Sequence, residues 1–416
     1  MNNPVHAAVP AGIALYMAVV QFLFVTTWTI YVIFLPSLLK TAGLSATLVP
    51  TLLIIDQLVF MVTDIYVGVA ADRAQRVMGR VAPLIIGMTV VSCVAFLLLP
   101  FAVGLGSGLA PGVALALTLV WIVTSSALRA PPWVLLSKYS AAPSVPRMNA
   151  LMLCGLAVGG AIAPYLGVTL KNVDPRVPFA LSSLTLLLAT AGIVYVERVL
   201  KSSPVAPPPA TPEAPLVVGR SGPFLLGLLL LAAGFQIHFS VNTAGQFLKF
   251  AKPNDLEWLM PVFWVGFGVA MMPGSALCKR YGTLQVMAVS AVLGALAALV
   301  AANAGSLDML IAAQVVTGGA WGSMLMCGFT AAVAAGRTGR EGLALGMLFA
   351  VLAVATLSRI GTVMAGLPKR ADLATLFAHA PAALWIAGAL VMGVLAFKAG
   401  KAGKAGRATT TAVRQA

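Results

Sequence analysis

The chain is 416 residues long, 60% hydrophobic and only 9% charged. A soluble domain carries roughly 25% charged residues, so the composition excludes a soluble enzyme, and its hydrophobicity excludes a wholly disordered chain. The 26 Lys and Arg outnumber 11 acidic residues, but they sit in short spacers between apolar runs and form no basic module, which argues against a nucleic-acid partner and for a lipid bilayer.

A helix needs about 20 apolar residues to cross the hydrocarbon core. Twelve runs are long enough: 12–38, 47–70, 83–106, 111–137, 148–170, 178–199, 223–249, 257–278, 283–303, 306–335, 341–366 and 378–398. They predict an all-α membrane protein with twelve transmembrane helices in two pseudo-symmetric six-helix halves. Residues 1–200 form the expected N-terminal bundle and 201–222 a linker containing SSPVAPPPATPEAP. Residues 223–398 form the C-terminal bundle, and 399–416 a basic tail that opens with the KAGKAGKAGR run from Lys398. Proline holds such a linker extended. The first run is long enough to span and follows a stretch without Lys or Arg, so no cleavable leader is expected. Seventeen of the Lys and Arg fall on the side of the chain ends, seven on the other, and two, Arg129 and Arg359, inside spans. That bias places both termini and the linker in the cytoplasm, with a bacterial inner membrane as the expected location. Cys93, Cys154, Cys278 and Cys327 stand singly and read as small core residues without metal-ligand spacing.

The loop after span 2 reads GVAADRAQR from Gly68, and the corresponding loop after span 8 reads GSALCKRYG from Gly274. The two are a degenerate repeat, as a duplicated transporter would carry, with its site at mid-membrane between the halves. Gly68 permits close packing of span 2 against a neighbour. Asp72, Arg73 and Arg76 at that helix end can bridge to adjacent helix ends and hold one conformation, a plausible switch. This loop resembles the signature of the major facilitator superfamily. The longer stretch TDIYVGVAADRAQRVMGRVAPL, from Thr63 to Leu84, is similar to the glycoside–pentoside–hexuronide:cation symporters, through Asp64, Gly68, Asp72, Arg73, Arg76, Gly79, Arg80 and Pro83. RAPPWVLLSKYS from Arg129 resembles the span 4 segment of that family, and Arg147 resembles the arginine that opens span 5.

That resemblance implies cation-coupled uptake of a sugar or sugar acid, and the sequence departs from it at two positions. One turn before Asp64 the family carries a second acid, where this chain has Phe60; Asp56 lies a further turn back. The sugar-binding acid of span 4 falls on Arg129. A guanidinium donates hydrogen bonds and attracts anions, whereas a carboxylate accepts from hydroxyls. The departures favour a proton over Na⁺ as the coupling ion and add organic anions to the candidate substrates.

A charge at mid-membrane costs at least ~2.5–3.5 kcal/mol on insertion scales and so requires a partner or a wet cavity. At 1.5 Å per residue, Asp64 and Arg129 lie about 26 and 27 Å from the outer ends of their spans. Asp56 and Arg359 lie about 14 and 10 Å deep. Depth therefore pairs Asp64 with Arg129 and Asp56 with Arg359. Asp56 and Asp64 are the candidate ion-coupling residues, and Arg129 and Arg359 the candidate anion ligands. His238, Asn242 and Gln246 recur at helical spacing on one face of span 7. Together with Gln21 and Trp28 of span 1, Trp133 of span 4, and Gln314 and Trp321 of span 10, they are the candidate lining of a central cavity.

No nucleotide-binding loop of the GxxxxGK[ST] type occurs, and no nucleophile–base set or metal cluster is visible. The sequence thus predicts a secondary active transporter rather than an enzyme. It is expected to move a sugar, sugar acid or organic anion by alternating access, without a cofactor beyond H⁺ or Na⁺, and as a monomer. Export of amphipathic compounds, or a non-transporting role on the same fold, are the alternatives.

Overall fold

The computed structural model describes residues 9–106, 108–140, 144–202, 221–336 and 339–415. Twelve helical segments are long and apolar enough to cross a membrane. They are α1 (Ala11–Thr41), α2 (Ala46–Met78), α3 (Ala82–Ala102), α4 (Ala110–Lys138), α5 (Val145–Thr169) and α6 (Arg176–Ser202) in the first half. The second half holds α7 (Gly222–Phe247), α8 (Pro253–Tyr281), α9 (Thr283–Ala302), α10 (Leu307–Gly336), α11 (Glu341–Met364) and α12 (Ala371–Lys401). All twelve expected spans are present. Residues 203–220, nearly all of the expected linker, lie outside the described residues. The last helix does not stop at Lys398: its backbone continues helical to Gln415, through the basic repeat.

Twelve crossings place both chain ends on one side, here the terminal face. Within the halves, α1 packs on α5, α3 on α4, α8 and α9 on α10, and α7 on α12. Between the halves, α2 packs along α11 and α5 along α8, with further contacts from α4 to α11 and α5 to α10. Gly79, in the left-handed region at φ 62°, ends α2 and turns the chain into α3, as glycine does at little cost.

Two helices are interrupted. The expected continuous span at 111–137 breaks in α4. A helix ends at Ser125, a 3₁₀ turn covers Ser126–Leu128, and a second helix runs Ala130–Lys138. Arg129 joins them at φ −93°, ψ −87°. The cause is Pro131 and Pro132, which lack the N–H groups that would bond the carbonyls four residues earlier. Gln21 of α1 compensates at one of these, donating from Nε2 to the Leu128 carbonyl at 2.8 Å. The side chain expected to line a cavity therefore braces this break. Gln21→Leu would leave that carbonyl unpaired and is expected to cost about 1–3 kcal/mol, read as a lowered Tm of the purified protein.

In α7 a π turn covers His238–Asn242, with the Thr243 hydroxyl donating to the His238 carbonyl at 2.9 Å. The extra residue per turn shifts the helix register. His238, Thr243 and Gln246 then face α10, while Asn242 leaves the expected stripe and donates from Nδ2 to the Phe377 carbonyl of α12 at 2.8 Å.

Candidate functional site

The proline break puts Arg129 at the start of the second segment of α4, between the halves. Its Nε lies 2.9 Å from Asp64 Oδ2 of α2, with Asp64 fully buried and the arginine side chain 16% exposed. The pairing expected from depth is present, but the angles are not those of a hydrogen bond, so both Asp64 oxygens and the Arg129 Nε lack a hydrogen-bond partner. The guanidinium carbon sits 4.5 Å from the ring centre of Phe60 in α2 and 4.9 Å from that of Phe349 in α11. Such contacts stabilise a cation over a π face. Phe60, at the position where the resemblance leads one to expect an acid, packs its ring against Arg129 instead. The terminal guanidinium nitrogens make no hydrogen bond among the described residues. One turn on, the Trp133 indole N–H is buried and unpartnered, while its ring stacks on Phe329 of α10 at 4.6 Å and meets Phe349 edge-on at 5.8 Å. The centre therefore offers spare donors and one negative counter-charge.

Toward the terminal face the halves are sealed. Asp72 accepts from the backbone N–H of Gly342 at 2.7 Å and of Leu343 at 3.0 Å, a carboxylate on the N-terminus of α11, where the helix dipole favours it. Arg76 donates to the Gly339 carbonyl at 3.0 Å, whereas Arg73 is exposed. Gly68 and Gly342 meet backbone to backbone: a methyl on either would collide with the carbonyl of the other. Asn149 of α5 adds a hydrogen bond to Thr330 of α10 at 3.0 Å.

Asp56 and Arg359 are not paired. Asp56 is fully buried and accepts from the Tyr31 hydroxyl at 3.2 Å through Oδ2; its Oδ1 and the Arg359 Nε have no partner. The register of α2 against α11 explains this. Gly68 faces Gly342, and the Asp64 backbone faces Gly346, so Asp56 is level with Val354. Arg359 lies five residues beyond, an axial offset of about 7.5 Å.

Trp28 packs among Tyr31, Phe60 and Trp121, and Trp321 stacks on Phe235 at 4.6 Å. His238 Nε2 bonds Gln314 Oε1 at 3.0 Å, and Gln314 Nε2 donates to Gln246 Oε1 at 3.1 Å. Three of the expected cavity residues therefore satisfy one another inside the second half. His238→Leu would orphan the Gln314 amide oxygen and is expected to lower stability by about 1–3 kcal/mol, measurable as a Tm shift.

Phe349, Phe329, Gly342 and the Gln236–Thr356 hydrogen bond at 2.9 Å are part of this region and were not singled out in the sequence. Their partners lie on other helices, many across the two halves, and nothing in local spacing marks them.

No family model matches the sequence, and no curated protein is significantly similar to it. Solved structures do match over nearly the whole chain. A bacterial homologue of the iron transporter ferroportin, in its outward-facing state, is 13% identical with a TM-score of 0.67, covering 92% of this chain and 99% of that one. The major facilitator superfamily transporter FucP, in its outward conformation, is 14% identical with a TM-score of 0.65, covering 93% and 98%. The human organic anion transporter MFSD10 (TETRAN) is 13% identical with a TM-score of 0.65, covering 94% and 99%. The fold is that of the major facilitator superfamily transporters, an all-α multi-pass membrane architecture.

Proposed function

We propose that the protein is a secondary active transporter that moves a small organic anion by alternating access, with Arg129 as the anion ligand and Asp64 as the proton carrier. The observation that carries this is the state of Arg129. Two phenyl rings lie within 5 Å of its guanidinium carbon and Asp64 takes its Nε, while its terminal nitrogens donate no hydrogen bond among the described residues. A carboxylate accepts two hydrogen bonds from such a pair of donors. When it does, the arginine charge is shared, Asp64 loses part of its counter-ion, and a proton can replace it. Anion and proton then travel together.

Na⁺ coupling is the weaker variant, because Phe60 removes a hard oxygen ligand beside Asp64. The resemblance to glycoside–pentoside–hexuronide:cation symporters keeps sugars and sugar acids as alternative substrates. Arg359 would serve as a second anion ligand nearer the opposite face, and Asp56 as a second ion-coupling group. The terminal face is read as cytoplasmic from the distribution of Lys and Arg, in a bacterial inner membrane, with the protein acting as a monomer.

The test is uptake into proteoliposomes. Labelled carboxylates and neutral sugars are offered under an inward proton gradient, an inward Na⁺ gradient, or neither. Carboxylate accumulation driven by protons and indifferent to Na⁺ is expected. Accumulation of neutral sugars alone, or driven by Na⁺ alone, contradicts the proposal.

A further inference from the structure

We infer that the solute is a planar aromatic monocarboxylate rather than a polyhydroxylated acid. This rests on the reading of Arg129 as the anion ligand and adds the shape and polarity of the rest of the substrate.

A carboxylate bound side-on to a guanidinium lies in the guanidinium plane. Here Phe60 from one half and Phe349 from the other each hold a ring centre within 5 Å of the guanidinium carbon. Whatever is bonded to the carboxylate continues outward from the same plane, beside an arginine set among aromatic rings. A flat apolar group suits such aromatic surroundings, and aromatic pairs gain beyond area burial. A puckered ring bearing hydroxyls meets aromatic carbon on two sides.

The hydrogen-bonding inventory points the same way. A sugar acid brings several hydroxyls, and each needs a partner once buried. The candidate polar lining is already committed. His238 and Gln246 are bonded to Gln314, Asn242 to the Phe377 carbonyl, and Gln236 to Thr356. Apart from the Asp64 carboxylate, whose charge the guanidinium already holds, the spare groups near Arg129 are donors: its own terminal nitrogens and the Trp133 indole N–H. Donors of this kind match a single carboxylate, which only accepts.

The experiment is calorimetric binding to the purified full chain with four probes: benzoate, cyclohexanecarboxylate, gluconate and neutral galactose. Benzoate and cyclohexanecarboxylate share charge and carbon count and differ in flatness. Benzoate is expected to bind at least about tenfold more tightly than cyclohexanecarboxylate or gluconate, with galactose not binding. Phe349→Leu, which keeps an apolar side chain, is expected to shrink the preference for benzoate over gluconate. Gluconate binding as tightly as benzoate, or a preference untouched by Phe349→Leu, overturns the inference while leaving Arg129 as the anion ligand. Galactose binding in preference to all three acids, or no binding by any acid, overturns both.

Discussion

Arg129→Ala is expected to abolish anion binding and lower uptake at least a hundredfold, because among the described residues Arg129 is the one cation paired with Asp64. The substitution also strands a fully buried carboxylate, and breaking a buried pair costs about 3–5 kcal/mol, so the single variant is expected to unfold at lower temperature. The double variant Arg129→Ala/Asp64→Asn removes both charges and is expected to regain most of that stability while remaining unable to bind. Stability and binding are thereby separated. Arg129→Lys keeps a charge but loses the planar fork and the ring contacts, and is expected to bind at least about tenfold more weakly. Asp64→Asn retains Arg129 and therefore anion binding and exchange, but has no proton site beside it. Accumulation driven by a proton gradient is expected to vanish while counterflow of pre-loaded anion persists. Uptake in proteoliposomes and thermal unfolding of the same preparations measure all four variants.

Gly342→Val is expected to be as damaging for a different reason. A side chain at 342 runs into the Gly68 carbonyl, so α2 and α11 must part at the terminal face. With them go the two backbone hydrogen bonds to Asp72. Under the proposed alternating access, a protein that cannot seal one face cannot complete its cycle, and uptake is expected to fall at least about tenfold, beyond the range of a mild stability loss. The seal itself can be read at its inner contact with Thr330→Cys, in a background whose four native cysteines are replaced by alanine. Its labelling by a membrane-impermeant maleimide from the terminal face should rise in the Gly342→Val background. Gly87→Ala, where a Cβ meets nothing within 4 Å, should leave uptake and labelling unchanged.

Much of the architecture was legible because bilayer thickness acts on each segment independently: an apolar run of the right length is a span wherever its neighbours lie. The signature at Gly68 and Asp72 was legible as one side of a contact, but its other side, Gly342, carries no mark of its own and is brought there only by tertiary packing. Depth arithmetic found the Asp64–Arg129 pair and failed for Asp56 and Arg359. Both cases used the same 1.5 Å rise, but depth measured from uncertain span ends does not fix the register between α2 and α11. The Pro131–Pro132 pair stood in the sequence as a sufficient reason for a break in α4, and with it the brace from Gln21. The π turn in α7 had no such signal, so Asn242 was assigned to a face it does not occupy. Phe60 read as the loss of an ion ligand; only the structure shows that its ring lies over Arg129.

The most direct measurement of the account is proton linkage in anion binding. The wild-type protein and Asp64→Asn are titrated calorimetrically with the best-binding carboxylate in buffers of different ionisation enthalpy. Uptake of about one proton per anion bound by the wild type, and of none by Asp64→Asn, is what an arginine shared between carboxylate and substrate predicts. Anion binding without proton uptake, or uptake that survives in Asp64→Asn, would contradict it.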